Sequence, residues 1–211
     1  MPGPRTNAAF YAAPVAEFLS ASEEEVYAPL ASPHGYTLAA LKSWGAVQQS
    51  AWRLQLPVLR AALEELVAPP PAAPAPWIHL EFDIPRLGRR VDAVLVTQKC
   101  VIPIEFKVGA KKFERFDYEQ AWDFRIDLKN FHAPSHDAAI FPILCATEAR
   151  DDLDRARRTD PKARIGTSRN AVRAFIQNFH HFRDDTLRPT TMSWCSTRPS
   201  GCGMPGSSHP S

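Results

Sequence analysis

Two short apolar runs stand out along the chain. Arg90-Val91-Asp92-Ala93-Val94-Leu95-Val96 is followed, after a polar break, by Val101-Ile102-Pro103-Ile104-Glu105-Phe106-Lys107-Val108-Gly109. Both are rich in β-branched residues and bounded by turn-formers, the pattern of buried or half-buried strands. Together they predict a hairpin. Just upstream, Trp77 to Ile84 alternates as a strand ending at Pro85, and Arg86-Leu87-Gly88-Arg89 turns the chain back. The three segments predict an antiparallel meander in which Trp77, His79, Glu81 and Asp83 share a face. A helix carrying Phe116, Gln120, Trp122, Phe124, Ile126 and Leu128 separates it from a further buried strand, Ala139 to Ala146. That order suits an α/β fold, a mixed sheet with helices packed on it.

Before the meander, Phe10-Tyr11 forms an aromatic anchor and Val15, Phe18 and Leu19 an apolar pattern that ends in Ser20-Ala21-Ser22-Glu23-Glu24-Glu25. Ser20 or Ser22 with an acid three residues later is a capping-box signature for a second helix beginning near Ser22. Leu38 to Val67 has helical spacing, with Pro57 expected to kink it or mark a boundary. Ala68 to Pro76 is almost entirely Pro and Ala, a stiff extended connector. From Arg150 basic residues outnumber acids, apolar residues are sparse until Val172, and the pattern predicts a helix from about Asn170 to Phe182. After Pro189 neither period is present, and that tail is expected to be disordered.

The 211 residues, 45% hydrophobic and 10% aromatic, suffice for one ordinary domain with a core and little more. A full helicase motor does not fit. A formal net charge of +2 and a pI of about 8.4 permit a nucleic-acid partner without demanding one. Cys100, Cys145, Cys195 and Cys202 form no C-x-x-C pair, and neither a secretory leader nor a stretch of transmembrane length is visible. The expectation is a reduced, cytoplasmic protein with no membrane partner.

The candidate chemistry lies on the hairpin. Glu105 and Lys107 share a strand face. If the loop runs from Thr97 to Cys100, residues whose numbers sum to 197 stand opposite one another, which sets Asp92 against Glu105; a three-residue loop slips this register by one and separates them. Two carboxylates about 5 Å apart at Cβ repel unless compensated. Mg²⁺, or Mn²⁺ in its place, takes one or two carboxylates plus substrate phosphate and would compensate them. Lys107 adds a compact positive charge near a phosphate under attack. The alternative is a solvated Asp-Lys-Glu cluster on an exposed hairpin face. His132 and His136, four apart around Pro134, read as a loop rather than a zinc motif.

Asp92, Glu105-x-Lys107 and then Gln120 with Phe124 resemble the PD-(D/E)XK nuclease pattern and the Gln-x-x-x-Tyr helix of its RecB-like branch, with Phe in place of Tyr. More closely, Glu81-Phe82-Asp83-Ile84-Pro85-Arg86 through Asp92, Ile104 to Gly109, Gln120-Ala121-Trp122-Asp123-Phe124, Asp127-Leu128-Lys129-Asn130-Phe131-His132 and Ala146-Thr147-Glu148-Ala149 resemble one bacterial family. Its members place a nuclease-like N-terminal domain ahead of a schlafen-type DNA/RNA helicase domain. The resemblance implies a restriction-endonuclease-like domain over 1–149, with Asp92 and Glu105 binding Mg²⁺, Lys107 assisting attack and Gln120 supporting them. Glu81 is the alternative third acid. The early-helix acid many such nucleases use is absent: candidate positions carry Gln48 and Gln49, and Glu64 and Glu65 come near the helix end. Lys111, Lys112, Arg115 and Lys129 are candidates for a phosphate-tracking surface on nucleic acid, DNA before RNA.

Residues Ala171 to Arg183 resemble the helicase segment before a Walker B strand, so 150–189 reads as a helicase remnant. No Gly-x-x-x-x-Gly-Lys-Ser/Thr loop precedes it, leaving ATP no site. Hypothesis: 190–211 is a frame-shifted tail. Joining the last base of each codon from Met192 to Gly201 to the first two of the next permits Val-x-Val-Phe-Asp-Glu-Ala-Gln-Arg, which resembles a Walker B strand. The gene's nucleotides test this, and codons incompatible with that frame reject it. Three functions remain open: a metal-dependent nuclease, an inactive nucleic-acid-binding module, and a relic.

Overall fold

The computed structural model describes residues 9–31, 38–64, 75–98, 100–149 and 165–167, with side chains throughout except in 38–48 and 165–167. All but the last two residues of the expected connector Ala68–Pro76, the helix from Asn170 to Phe182 and the whole of 190–211 lie outside the described residues.

The predicted meander is the centre of the fold. Strands β2 (Trp77–Ile84), β3 (Arg89–Val96) and β4 (Cys100–Lys107) pair antiparallel in sequence order. The tight β2–β3 turn sets Arg86 and Gly88 at φ +68° and +62°. The glycine meets that backbone demand without strain. After β4, helix α4 (Arg115–Phe131) crosses over to β5 (Ala139–Ile140) and β6 (Ile143–Ala146), both parallel to β4.

The one strand expected over Ala139–Ala146 is therefore two, in a common register. Pro142 falls opposite Pro103 in that register, and since proline has no N–H the ladder opens between them. Ile165–Thr167 adds β7, parallel to β6. The sheet order is β1-β2-β3-β4-β6-β7, with β5 also on β4. Three antiparallel and three parallel pairings make it a mixed, open α/β sheet.

The N-terminal segment departs from expectation. Ala9–Pro14 is strand β1, paired antiparallel with β2, where the sequence reads as an anchor ahead of a helix. Helix α1 (Val15–Ser20) follows directly. The capping box at Ser22 is present, with Ser22 N–H donating to Glu25 Oε2 at 2.7 Å and Glu25 N–H to Ser22 Oγ at 3.3 Å. It opens α2 (Glu23–Ala31). Helix α3 (Leu38–Leu63) continues through Pro57 rather than stopping there.

Helices cover both faces of the sheet. On one, Phe18, Val26, Leu30, Trp52, Leu56 and Leu59 from α1, α2 and α3 pack against Ile78, Leu80, Leu95, Ile102 and Ile104. On the other, Phe124 and Leu128 of α4 pack against Trp77, Phe82, Val91, Val94 and Val101. Each such side chain, buried in full, contributes about 1.5–3 kcal/mol. No helix among the described residues is long and apolar enough to cross a membrane.

Candidate active site

The expected register holds. Val96↔Val101, Leu95↔Ile102, Val94↔Pro103 and Ala93↔Ile104 all sum to 197. The four-residue connection is fixed by Thr97 N–H to Cys100 C=O at 2.9 Å and Cys100 N–H to Thr97 Oγ1 at 3.0 Å. Continued one step, the register sets Asp92 across from Glu105, beyond the last paired residues. There the ladder gives way to a side chain, as Asp92 Oδ2 accepts the Phe106 N–H at 2.8 Å.

Helix α4 closes the arrangement from the side. Gln120 donates from Nε2 to Glu105 Oε1 at 2.7 Å and accepts Lys107 Nζ on its own oxygen at 2.9 Å. Lys107 also donates to Glu105 Oε1 at 3.2 Å and lies 3.5 Å from Asp117 Oδ1. Asp92, Glu105, Lys107 and Asp117 line a cleft of about 530 Å³ whose far wall includes Ala51 and Gln55 of α3. Oδ1 of Asp92 and Oε2 of Glu105 carry no hydrogen bond from the described residues. The structure thus gathers all four sequence candidates, Asp92, Glu105, Lys107 and Gln120, into one cluster.

Glu81 sits beside it by an unforeseen route. Its φ is +52°, a left-handed conformation in mid-strand that costs a non-glycine residue about 1–3 kcal/mol. The β2–β3 ladder pairs Leu80↔Ala93 and Phe82↔Val91 but skips Glu81 and Asp92. The side-chain alternation changes phase there. Trp77 and His79 lie on the α4 side with Phe82, while Glu81 meets α3, accepting Trp52 Nε1–H at 2.7 Å. The single face expected for Trp77, His79, Glu81 and Asp83 is therefore split. Arg90 bridges Glu81 at 3.4 Å and Asp83 at 2.9 Å, so both Glu81 oxygens are engaged.

The electrostatics follow from burial and crowding. Desolvation, then the charges of Glu105 and Glu81, push the Asp92 carboxyl well above its ordinary range; the Phe106 N–H and Lys107 oppose this. Glu105 is also raised, by burial first, with Lys107 pulling down and Glu81 and Asp117 pushing up. Two crowded carboxyls with one open oxygen each are a hard-oxygen pair suited to a cation that takes one or two carboxylates and keeps its waters. No group of three or more His, Cys, Asp or Glu among the described residues is arranged to hold a metal ion.

The basic candidates do not form one patch. Lys112 pairs with Glu114 at 2.7 Å and Arg115 with Glu119 at 2.8 Å, both strongly exposed, and Lys111 is exposed near them. Lys129 lies 14 residues along the helix from Arg115, about 21 Å at 1.5 Å per residue, and donates to the His136 carbonyl. His132 is buried against Ser135 and Phe82 while His136 is exposed, and one 3-10 turn, Ala133–Ser135, joins them.

Asp117, Trp52 and Gln55 are the site residues that sequence reasoning missed. Asp117 precedes Gln120 by three on a helix, a spacing that puts them on one face. Trp52 and Gln55 share that spacing on α3, hidden among apolar neighbours. Compared with protein-family models, curated proteins and solved structures, the chain matches none.

Proposed function

We propose that this chain is a metal-dependent nuclease-type domain of restriction-endonuclease-like fold that hydrolyses phosphodiester bonds in DNA or RNA. The observation that carries the reading is Gln120 bonded at once to Glu105 and Lys107 across a hairpin that holds Asp92. Asp92 and Glu105 would hold Mg²⁺ or Mn²⁺ through their open oxygens. The bound ion supplies charge neutralisation at phosphate and an acidified water.

The chain's own groups do the rest. The Lys107 ammonium bonds Glu105 and its charge reaches Asp92, a place from which it stabilises negative charge gathering on the phosphate oxygens. Gln120 occupies Glu105 Oε1 and so leaves Oε2 for the cation. Backbone N–H of Phe106 fixes the Asp92 carboxylate. Exposed Lys111, Lys112 and Arg115 give sequence-independent phosphate affinity once their local acids yield them.

A second reading, an inactive nucleic-acid-binding module, is favoured by one observation: the α3 residues that line the cleft are Ala51 and Gln55, neither of them an acid. Cleavage of single- and double-stranded DNA and RNA with Mg²⁺ or Mn²⁺, beside EDTA and Lys107→Ala controls, separates the two. The nuclease reading expects metal-dependent cutting that falls at least about 100-fold in Lys107→Ala, with binding weakened only modestly. Binding by a folded wild-type chain that cuts nothing selects the module.

A further inference from the structure

We infer that Asp117 is a positioning residue that completes the seat of the Lys107 ammonium, an inference that rests on the nuclease reading for its catalytic consequence. An ammonium has three donors and no acceptor. Lys107 Nζ meets Gln120 Oε1 at 2.9 Å, Glu105 Oε1 at 3.2 Å and Asp117 Oδ1 at 3.5 Å, so polar groups from β4 and α4 approach it together.

An acid in the first turn of a helix is common, because the helix dipole favours negative charge there. That preference is met equally well by a carboxylate facing water. Asp117 instead turns inward, its side chain only 17% exposed, and lines the cleft with Lys107. Glu119, two residues on, is 41% exposed and engages Arg115 outside the cleft.

The arrangement solves a specific problem. If Glu105 holds a cation, its carboxylate is drawn toward that ion and its grip on Lys107 weakens. Gln120 is neutral and cannot replace the lost charge. Asp117 supplies an anionic partner from a separate element, so the ammonium stays aimed into the cleft while Glu105 serves the metal. It acts through Lys107 rather than on the phosphate.

The test compares Asp117→Asn and Asp117→Glu with wild type, all checked for folding by circular dichroism. Two readouts are used. One is the ¹H–¹⁵N cross-peak of the Lys107 ammonium, assigned by its loss in Lys107→Ala and visible only when hydrogen bonds slow exchange with water. The other is cleavage kinetics with Mn²⁺ affinity. Asp117→Asn should lose the cross-peak and lower kcat about 10- to 100-fold, the scale of a misplaced group, with KM and the Mn²⁺ dissociation constant unchanged; Asp117→Glu should restore part of both.

An unchanged cross-peak and kcat in Asp117→Asn overturns the inference. So does weakened Mn²⁺ binding, which makes Asp117 a ligand. A wild-type chain that cuts nothing but loses the cross-peak in Asp117→Asn keeps the seat and rejects the nuclease reading.

Discussion

A carboxyl whose pKa is raised by folding is one the folded chain holds better protonated. Asp92 is such a group, and the sign follows directly. Its contribution to stability is complete below its unfolded pKa and is lost as pH rises through the raised folded value. The ionised form of Asp92 therefore works against the fold, and its charge adds nothing to stability. Asp92→Asn retains an oxygen for the Phe106 N–H and removes the charge. It should raise the melting temperature at pH 8 by about 2–4 °C, the size of a 1 kcal/mol gain in a chain this long, and by less at pH 4, while ending any metal-dependent cleavage. Differential scanning calorimetry at the two pH values checks it. Trp52 offers the complementary case: Trp52→Phe keeps most of the packing but removes the indole N–H that Glu81 Oε1 accepts, a loss of about 1–3 kcal/mol. Denaturant melts read it, and in a Glu81→Gln background the loss should shrink.

At the scale of elements, loop length decides whether the site exists. The Thr97–Cys100 connection sets the sum of 197 that brings Asp92 and Glu105 together. Deleting Gln98 leaves a three-residue loop, and a one-residue slip sends every side chain of one strand to the other face. That variant should lose Mn²⁺ binding, measured by calorimetry, and melt well below wild type.

The hairpin was legible because register is arithmetic once the loop is fixed. Gln120 was legible only through resemblance, since a helical glutamine has no signature of its own. Glu81 was named as the alternative third acid, but its placement was not legible: its left-handed φ overrides the strand's period, and no local residue choice announces it. Strand β1 was missed for a related reason. Ala9–Pro14 has little β-branched content and runs straight into the helical spacing of Val15 and Phe18, so only pairing with β2 makes it a strand. On α3, Trp52 and Gln55 fall within an apolar stripe, and the period that reveals the helix conceals which of its residues face the cleft.

Across the whole molecule, two sets of buried groups pull the pH profile in opposite directions. His79 and His132 are held neutral by desolvation, each with its pKa lowered to about 4. The unfolded chain binds those protons near 6.5, so stability climbs as pH rises from about 4 to 6.5. Asp92 and Glu105 oppose that climb as they ionise. A divalent cation that binds the ionised pair removes the opposition, and binding to the native state alone stabilises by mass action. Thermal melts with and without Mg²⁺ or Mn²⁺ should therefore diverge more at pH 8 than at pH 5, where protons compete for the same oxygens. A metal shift equal at both pH values, or one that survives Asp92→Asn, would place the ion elsewhere. Cleavage activity plays no part in that outcome, so it measures the acid pair's capacity for a cation even in a chain that has kept the fold and lost the reaction.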